Sequence, residues 1–153
     1  MKNYVVFLLM GLMLASGSVL AQSKSSYYRQ WKTIDDETNK PKSVVQIYER
    51  NGKMYGKIVK LFRTPDQDQN PKCKECDEDD PRYMKPIIGM EIITVMEWDS
   101  GDKEWEDGEI IDPASGSTYE CAVWIDGDTG NLKVRGYKYF FYRTQTRLPY
   151  NGN

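Results

Sequence analysis

The side chains able to do chemistry are few. Three cysteines, Cys73, Cys76 and Cys121, and no histidine stand in a chain of 153 residues. Without imidazole there is no Ser-His-Asp or Cys-His nucleophile and no histidine-containing metal site. The sharpest spacing is Cys73-Lys74-Glu75-Cys76. A redox-active pair wants a helix N-terminus or a basic surround to lower a thiol pKa, whereas Lys72 and Lys74 are outnumbered by Glu75, Asp77, Glu78, Asp79 and Asp80. Zinc needs two further ligands, and the only other thiol is Cys121. A local disulfide is therefore the expectation, contributing about 2 kcal/mol for so short a loop. Cys121 falls on an apolar strand face and reads as a small buried hydrophobe.

The acidic groups are no more convergent. Asp66, Asp68, Asn70 and Asp77 match positions 1, 3, 5 and 12 of an EF-hand-like count, but Pro71 stands where Gly is needed and no helices flank the loop. Glu91 with Glu97, or Glu104 with Glu106, could be imagined as acid and base; solvation along strand edges explains them equally well. The expectation is no metal, no cofactor and no catalysis. Two polar groups remain as binding candidates. Arg135-Gly136-Tyr137 resembles the Arg-x-Tyr carboxylate grip of intracellular fatty-acid-binding proteins, an alternative anion site if that face turns inward. Tyr119 is the best-placed polar tip on an otherwise apolar face, with Trp31, Thr94 and Met96 as further lumen candidates.

What must position these groups is a set of strands. Asp112-Pro113-Ala114-Ser115-Gly116 and Asp126-Gly127-Asp128-Thr129-Gly130 carry turn chemistry. Pairing Asp126 with Asn131 sets Ile125 opposite Leu132, Val123 opposite Val134 and Cys121 opposite Gly136 on one apolar side. That leaves Arg135 and Tyr137 outside, where Arg135 can cover Trp124. Asn51-Gly52 is a two-residue hairpin signal; pairing Arg50 with Lys53 places Val45 opposite Ile58, Ile47 opposite Gly56 and Glu49 opposite Met54, again one continuous face. Tyr27 to Ile34 reads as a first strand with Trp31 and Thr33 on one side. Alternation from Met90 to Trp98 puts Ile92, Thr94 and Met96 together. Lys103 to Ile111 holds Gly108, which suggests a bulge, and Tyr139 to Leu148 supplies a last strand.

About eight strands in meander order and no helical period predict an all-β, antiparallel up-and-down barrel, with a sandwich of the same strands as the structural rival. The inward set is Trp31, Val45, Ile47, Met54, Ile58, Met90, Ile92, Thr94, Met96, Ile110, Tyr119, Cys121, Val123, Ile125, Leu132 and Val134. Arg63 to Pro86 is long and irregular, rich in Pro, Asp and Lys, and is expected to be a disulfide-pinned lid or binding loop.

Ahead of the strands, Lys2 and VVFLLMGLMLASGSVLA, ending at Val19-Leu20-Ala21, have the layout of a secretory signal peptide cleaved after Ala21. Residues 22–153 then form one domain without an integral membrane segment. The 21 Lys and Arg and 23 Asp and Glu are interspersed, for a net charge of −2, which offers no face for nucleic acid.

The residues WKTIDDETNKPKSVVQIYERNGKMYGKIVKL, the Cys73-x-x-Cys76 pair, GEIIDPASGSTY from Gly108 and LKVRGY from Leu132 together resemble the bacterial family DUF2147 over Tyr27 to Arg147. The resemblance implies a lipocalin-like fold and export in a Gram-negative bacterium, to the periplasm or beyond. It implies no particular activity. Lipocalins proper carry Gly-x-Trp on the first strand and an Arg on the last that covers that Trp. Here Trp31 is in place, Arg29 replaces the Gly, and Arg147 is the candidate cover, closing one end of the barrel by a cation–π contact. The expected function is binding of a small apolar or lipid-like amphipathic molecule in the lumen. Two alternatives stand beside it: a non-catalytic envelope interaction module with a filled barrel, and a thiol-disulfide protein using Cys73 and Cys76.

Overall fold

The computed structural model describes residues 22–152; the leader expected over residues 1–21 lies outside them. Eight strands, β1 Gln30–Ile34, β2 Pro41–Arg50, β3 Lys53–Leu61, β4 Glu91–Asp99, β5 Glu104–Asp112, β6 Ser117–Ile125, β7 Leu132–Lys138 and β8 Phe141–Pro149, follow one another around a closed antiparallel barrel. β8 returns to pair with β1 through Trp31–Pro149, Lys32–Leu148 and Thr33–Arg147. Closure leaves no sheet edge exposed. The first strand is shorter than expected: Lys24–Tyr27 is a 3-10 turn, which tucks Tyr27 under the barrel and starts β1 three residues later.

Local turn chemistry sets the registers. Asn51 and Gly52 both have positive φ, 53° and 76°, the backbone that matches the twist of a tight hairpin. The β2–β3 pairs are accordingly Arg50–Lys53, Glu49–Met54, Ile47–Gly56 and Val45–Ile58; one residue further the ladder slips, and Val44 meets Lys60 in place of Val59. At the β6–β7 turn the Asp126 carboxylate accepts from the Thr129 N–H at 2.9 Å and hydroxyl at 2.8 Å. That fixes Ile125–Leu132, Val123–Val134 and Cys121–Gly136.

Strict alternation fails on β4 and β5. Val95 and Asp107 both take left-handed backbone, φ 52° and 56°, so each strand absorbs one extra residue between the pairs Thr94–Glu109 and Glu97–Glu106. Ile93 consequently turns inward, paired with Gly56 and Ile110, while Thr94 moves to the outer wall beside Arg82 and Lys85. The expectation that Thr94 shares the inner face with Ile92 and Met96 is corrected accordingly. Gly108 permits the irregularity, since a Cβ there would lie 2.5 Å from the Thr94 carbonyl oxygen and against Met96. Val95 is a β-branched residue in a conformation that disfavours it, and it is 46 % exposed. Val95→Gly is therefore expected to stabilise the fold by up to about 1 kcal/mol, read as a higher midpoint in urea.

One end of the barrel is packed solid. Trp31, Ile47, Met54, Met96 and Trp105 are fully buried there, with Trp98 set edge-on to Trp105 at 5.3 Å and to Tyr27 at 5.8 Å. Tyr27 closes this end: its hydroxyl donates to the Lys103 carbonyl at 2.8 Å and accepts from the Ile125 N–H at 3.3 Å. Burial pushes its phenol up to about 12. Trp31 donates its indole N–H to the Tyr27 carbonyl at 3.0 Å.

The long connection between β3 and β4 has backbone order of its own. Lys72 bridges Pro86, and Cys73 exchanges hydrogen bonds with Lys85 and Met84, both at 2.9 Å. Cys73 and Cys76 are joined in a disulfide and are buried, their Cα atoms 5.4 Å apart. The loop leans on the β5–β6 turn: Gly116, φ 70°, packs its α-carbon against the Glu75 carbonyl.

Candidate functional site

The other end of the barrel is hollow. A cavity of about 530 Å³ opens between the C-terminal ends of β1, β3, β5 and β7 and the N-terminal ends of β2, β4, β6 and β8, within the roughly 300–1,000 Å³ typical of small-molecule sites. Its two walls differ in chemistry. β3 to β5 supply Ile58, Leu61, Ile92, Ile110 and Ile111, and the long loop adds Ile87. Opposite them, Ser43, Thr33 and Arg147 form a row across three neighbouring strands, Ser43 paired with Thr33 and Thr33 with Arg147. Tyr119 and Gln145 add polar atoms. The loop residues Arg63, Gln67 and Ile87 make part of the wall.

Arg147 is the exceptional group. It is 2 % exposed, and its Nε and Nη1 are buried without a hydrogen-bond partner; Thr33 Oγ1 beside it is in the same state. Burial lowers the guanidinium to about 10, so it is still charged at neutral pH. The neighbouring ionisable side chain is Cys121, whose thiol burial pushes up to about 12 and therefore holds neutral. The cavity rim repeats the sign, with Lys42, Arg63, Lys138 and Arg143 set against a single acid, Asp112. Arg143 is engaged outward, donating to Asp36 at 2.8 Å.

The residues singled out in the sequence separate into three places. Tyr119 lines the cavity, its ring 5.4 Å from the Lys138 ammonium. Trp31 and Met96 lie in the packed end and do not touch the cavity, and Thr94 is outside the barrel. The cation stacked on Trp31 is Arg29, at 5.5 Å, from the position where lipocalins carry Gly. Arg147 is thus not the cover of Trp31 but part of the cavity wall. Arg135 and Tyr137 are on the outer wall, where Arg135 lies 4.8 Å from the Trp124 ring and donates to Thr144 Oγ1 at 2.7 Å. Asp66 and Asp68 are exposed, and Asp68 accepts from the Asn70 N–H. Among the described residues no three His, Cys, Asp or Glu side chains gather around one point.

The polar row escaped sequence reading because β8, Phe141–Pro149, has no apolar period: Arg143, Thr144, Gln145, Thr146 and Arg147 are polar on both faces. The available signal was the hairpin count from Lys138–Phe141, which sets Leu132 opposite Arg147. Its turn, Tyr139-Phe140, lacks the Gly or Asn that marks such turns. These two residues are 92 % and 98 % exposed and, with Phe141 and Tyr142, form an aromatic tip beside the cavity mouth.

A closed eight-stranded meander with one filled and one hollow end defines a lipocalin-like barrel. The chain belongs to the family described as "Uncharacterized protein conserved in bacteria (DUF2147)", whose model matches residues 30–147. Among solved structures it is similar to protein HP1028 from Helicobacter pylori, reported to belong to the lipocalin family, with a TM-score of 0.66 and 19 % identity over 82 % of this chain and 84 % of that one. No protein with a curated description matches it significantly in sequence. Among the described residues no helix is long and apolar enough to cross a membrane.

Proposed function

We propose that this chain is an exported, non-catalytic binding protein that carries or senses a small amphipathic molecule in its barrel lumen. The observation that carries the reading is the hollow end: a cavity walled by isoleucines on one side and hydroxyl, amide and guanidinium groups on the other. A chain serving only as a surface module would gain stability by filling it, since the isoleucine surface it leaves unburied is worth about 25 cal/mol per Å² when removed from water. The leader-like N-terminus and the Cys73–Cys76 disulfide support action in the periplasm or beyond. The buried thiol of Cys121, far from reactive, and the acidic surroundings of the disulfide give redox chemistry no support.

The test is uptake of N-phenyl-1-naphthylamine, a neutral dye that fluoresces in apolar surroundings, by the protein purified without detergent. Saturable binding at one site is expected, and Ile110→Trp, which fills the cavity from β5, is expected to weaken it about tenfold or more with the fold retained. Native mass spectrometry of the same sample should show an adduct that solvent extraction removes. A dye that fails to bind the extracted protein overturns the reading.

A further inference from the structure

A buried charge without a partner is costly, and evolution rarely leaves one in a wall that could be apolar. Arg147 is such a charge. Three hydrogen-bonding atoms on Arg147 and Thr33 are left unpartnered, and both residues line a space large enough for a ligand. Both residues are at least nine-tenths buried, at 2 % and 4 % exposure, and Ser43, 6 % exposed, continues the row. These groups are held on paired strands of a closed barrel, not on a mobile loop. A guanidinium calls for an anion, and its planar fork suits a carboxylate.

We infer that the lumen takes a single-chain fatty carboxylate, with its head group on Arg147, Thr33 and Ser43. This rests on the lumen-binding reading above and adds the chemical class and polarity of the ligand. Arg147 is the innermost of the β8 residues that line the cavity, opposite fully buried Leu132, and Phe141, 80 % exposed, is the outermost. The ligand therefore enters charge first. Its chain runs outward between Ile92 and Ile110 toward the mouth, and the cationic rim draws the anion in without competing for it at depth.

The experiment is competition against N-phenyl-1-naphthylamine by dodecanoate and by 1-dodecanol, which share a chain and differ in charge. In the wild-type protein dodecanoate is expected to displace the dye at a concentration about ten- to a hundredfold lower, the range of one charge-assisted pair. Arg147→Met should bring the two competitors to within about threefold while the ligand-free variant melts at the same temperature or higher, because an unpaired buried charge has been removed. A merely structural Arg147 would give the opposite pair of results, a lower melting temperature and an unchanged ratio. Should Arg147→Met fail to fold, Arg147→Lys, which keeps the charge but not the fork, is expected to narrow the ratio. Equal displacement by the two competitors in the wild-type protein overturns the carboxylate inference and leaves lumen binding intact; no dye uptake at all removes both.

Discussion

Alanine at position 31 is expected to cost about 3–5 kcal/mol of unfolding free energy, the range for truncating a buried tryptophan. That is a large part of the roughly 5–15 kcal/mol a domain of this kind possesses. Trp31 is 1 % exposed and does two things at once. Its ring fills the closed end beneath Arg29, and its indole N–H holds the Tyr27 carbonyl, the last residue of the 3-10 turn that caps the barrel. Truncation leaves a void and takes from the Tyr27 carbonyl one of its two donors, the other being the Arg29 N–H at 2.8 Å. Trp31→Phe separates the two losses: it keeps most of the volume and removes the donor, and about 1–2 kcal/mol is expected. Trp105 is the control. It is equally buried, but its indole N–H has no partner, so Trp105→Phe should cost less than Trp31→Phe in urea titrations. A Trp105→Phe loss equal to or larger than that of Trp31→Phe would remove the role assigned to the Tyr27 contact.

The second large effect is expected at Gly116. Its φ of 70° lies where L side chains are disfavoured, and a Cβ would drive into the Glu75 carbonyl, with the carbonyl carbon 2.5 Å away. Neither group can step aside: Gly116 closes the β5–β6 turn through its N–H to the Asp112 carbonyl at 2.8 Å, and Glu75 sits inside the Cys73–Cys76 ring. Gly116→Ala should therefore cost about 2–4 kcal/mol, strain and displaced packing combined. The loss should be coupled to the disulfide. In a Cys73→Ser/Cys76→Ser background the loop can retreat, so the same substitution should cost markedly less, a double-mutant cycle with coupling of about 1–2 kcal/mol. Additive losses would mean that the loop and the turn do not act as one unit.

The contrast between these sites and the cavity shows what a chain discloses before it is folded. Asn51-Gly52 and the Asp126 turn specify their backbone locally, and the pairs they imply, Ile47–Gly56 and Val123–Val134 among them, are the pairs observed. Thr94 and Ile93 exchanged faces because Val95 and Asp107 adopt left-handed backbone that their residue types do not favour. The conformation goes with a close approach of Gly108 to Met96 and Thr94 that a side chain at position 108 would block. No local pattern encodes it. Arg147 was legible as a cation on the last strand but not as a cavity residue. Its facing depends on a hairpin turn of two aromatic residues, Tyr139 and Phe140, which carry no turn signal. Tyr119 was placed inside because the β6–β7 register carried it there, and it does line the cavity.

The aromatic end and the hollow end of the barrel also divide the molecule by tolerance to change. Tyr27, Trp31, Trp98 and Trp105 form a foundation that lies apart from the cavity. Ile110, Tyr119 and Gln145 are only half-buried and line the cavity, so packing asks less of them. Substitutions there can redraw the lumen while the fold stays above its stability threshold. A barrel anchored in this way is a frame whose contents can be replaced, and new preferences can be selected into it one side chain at a time.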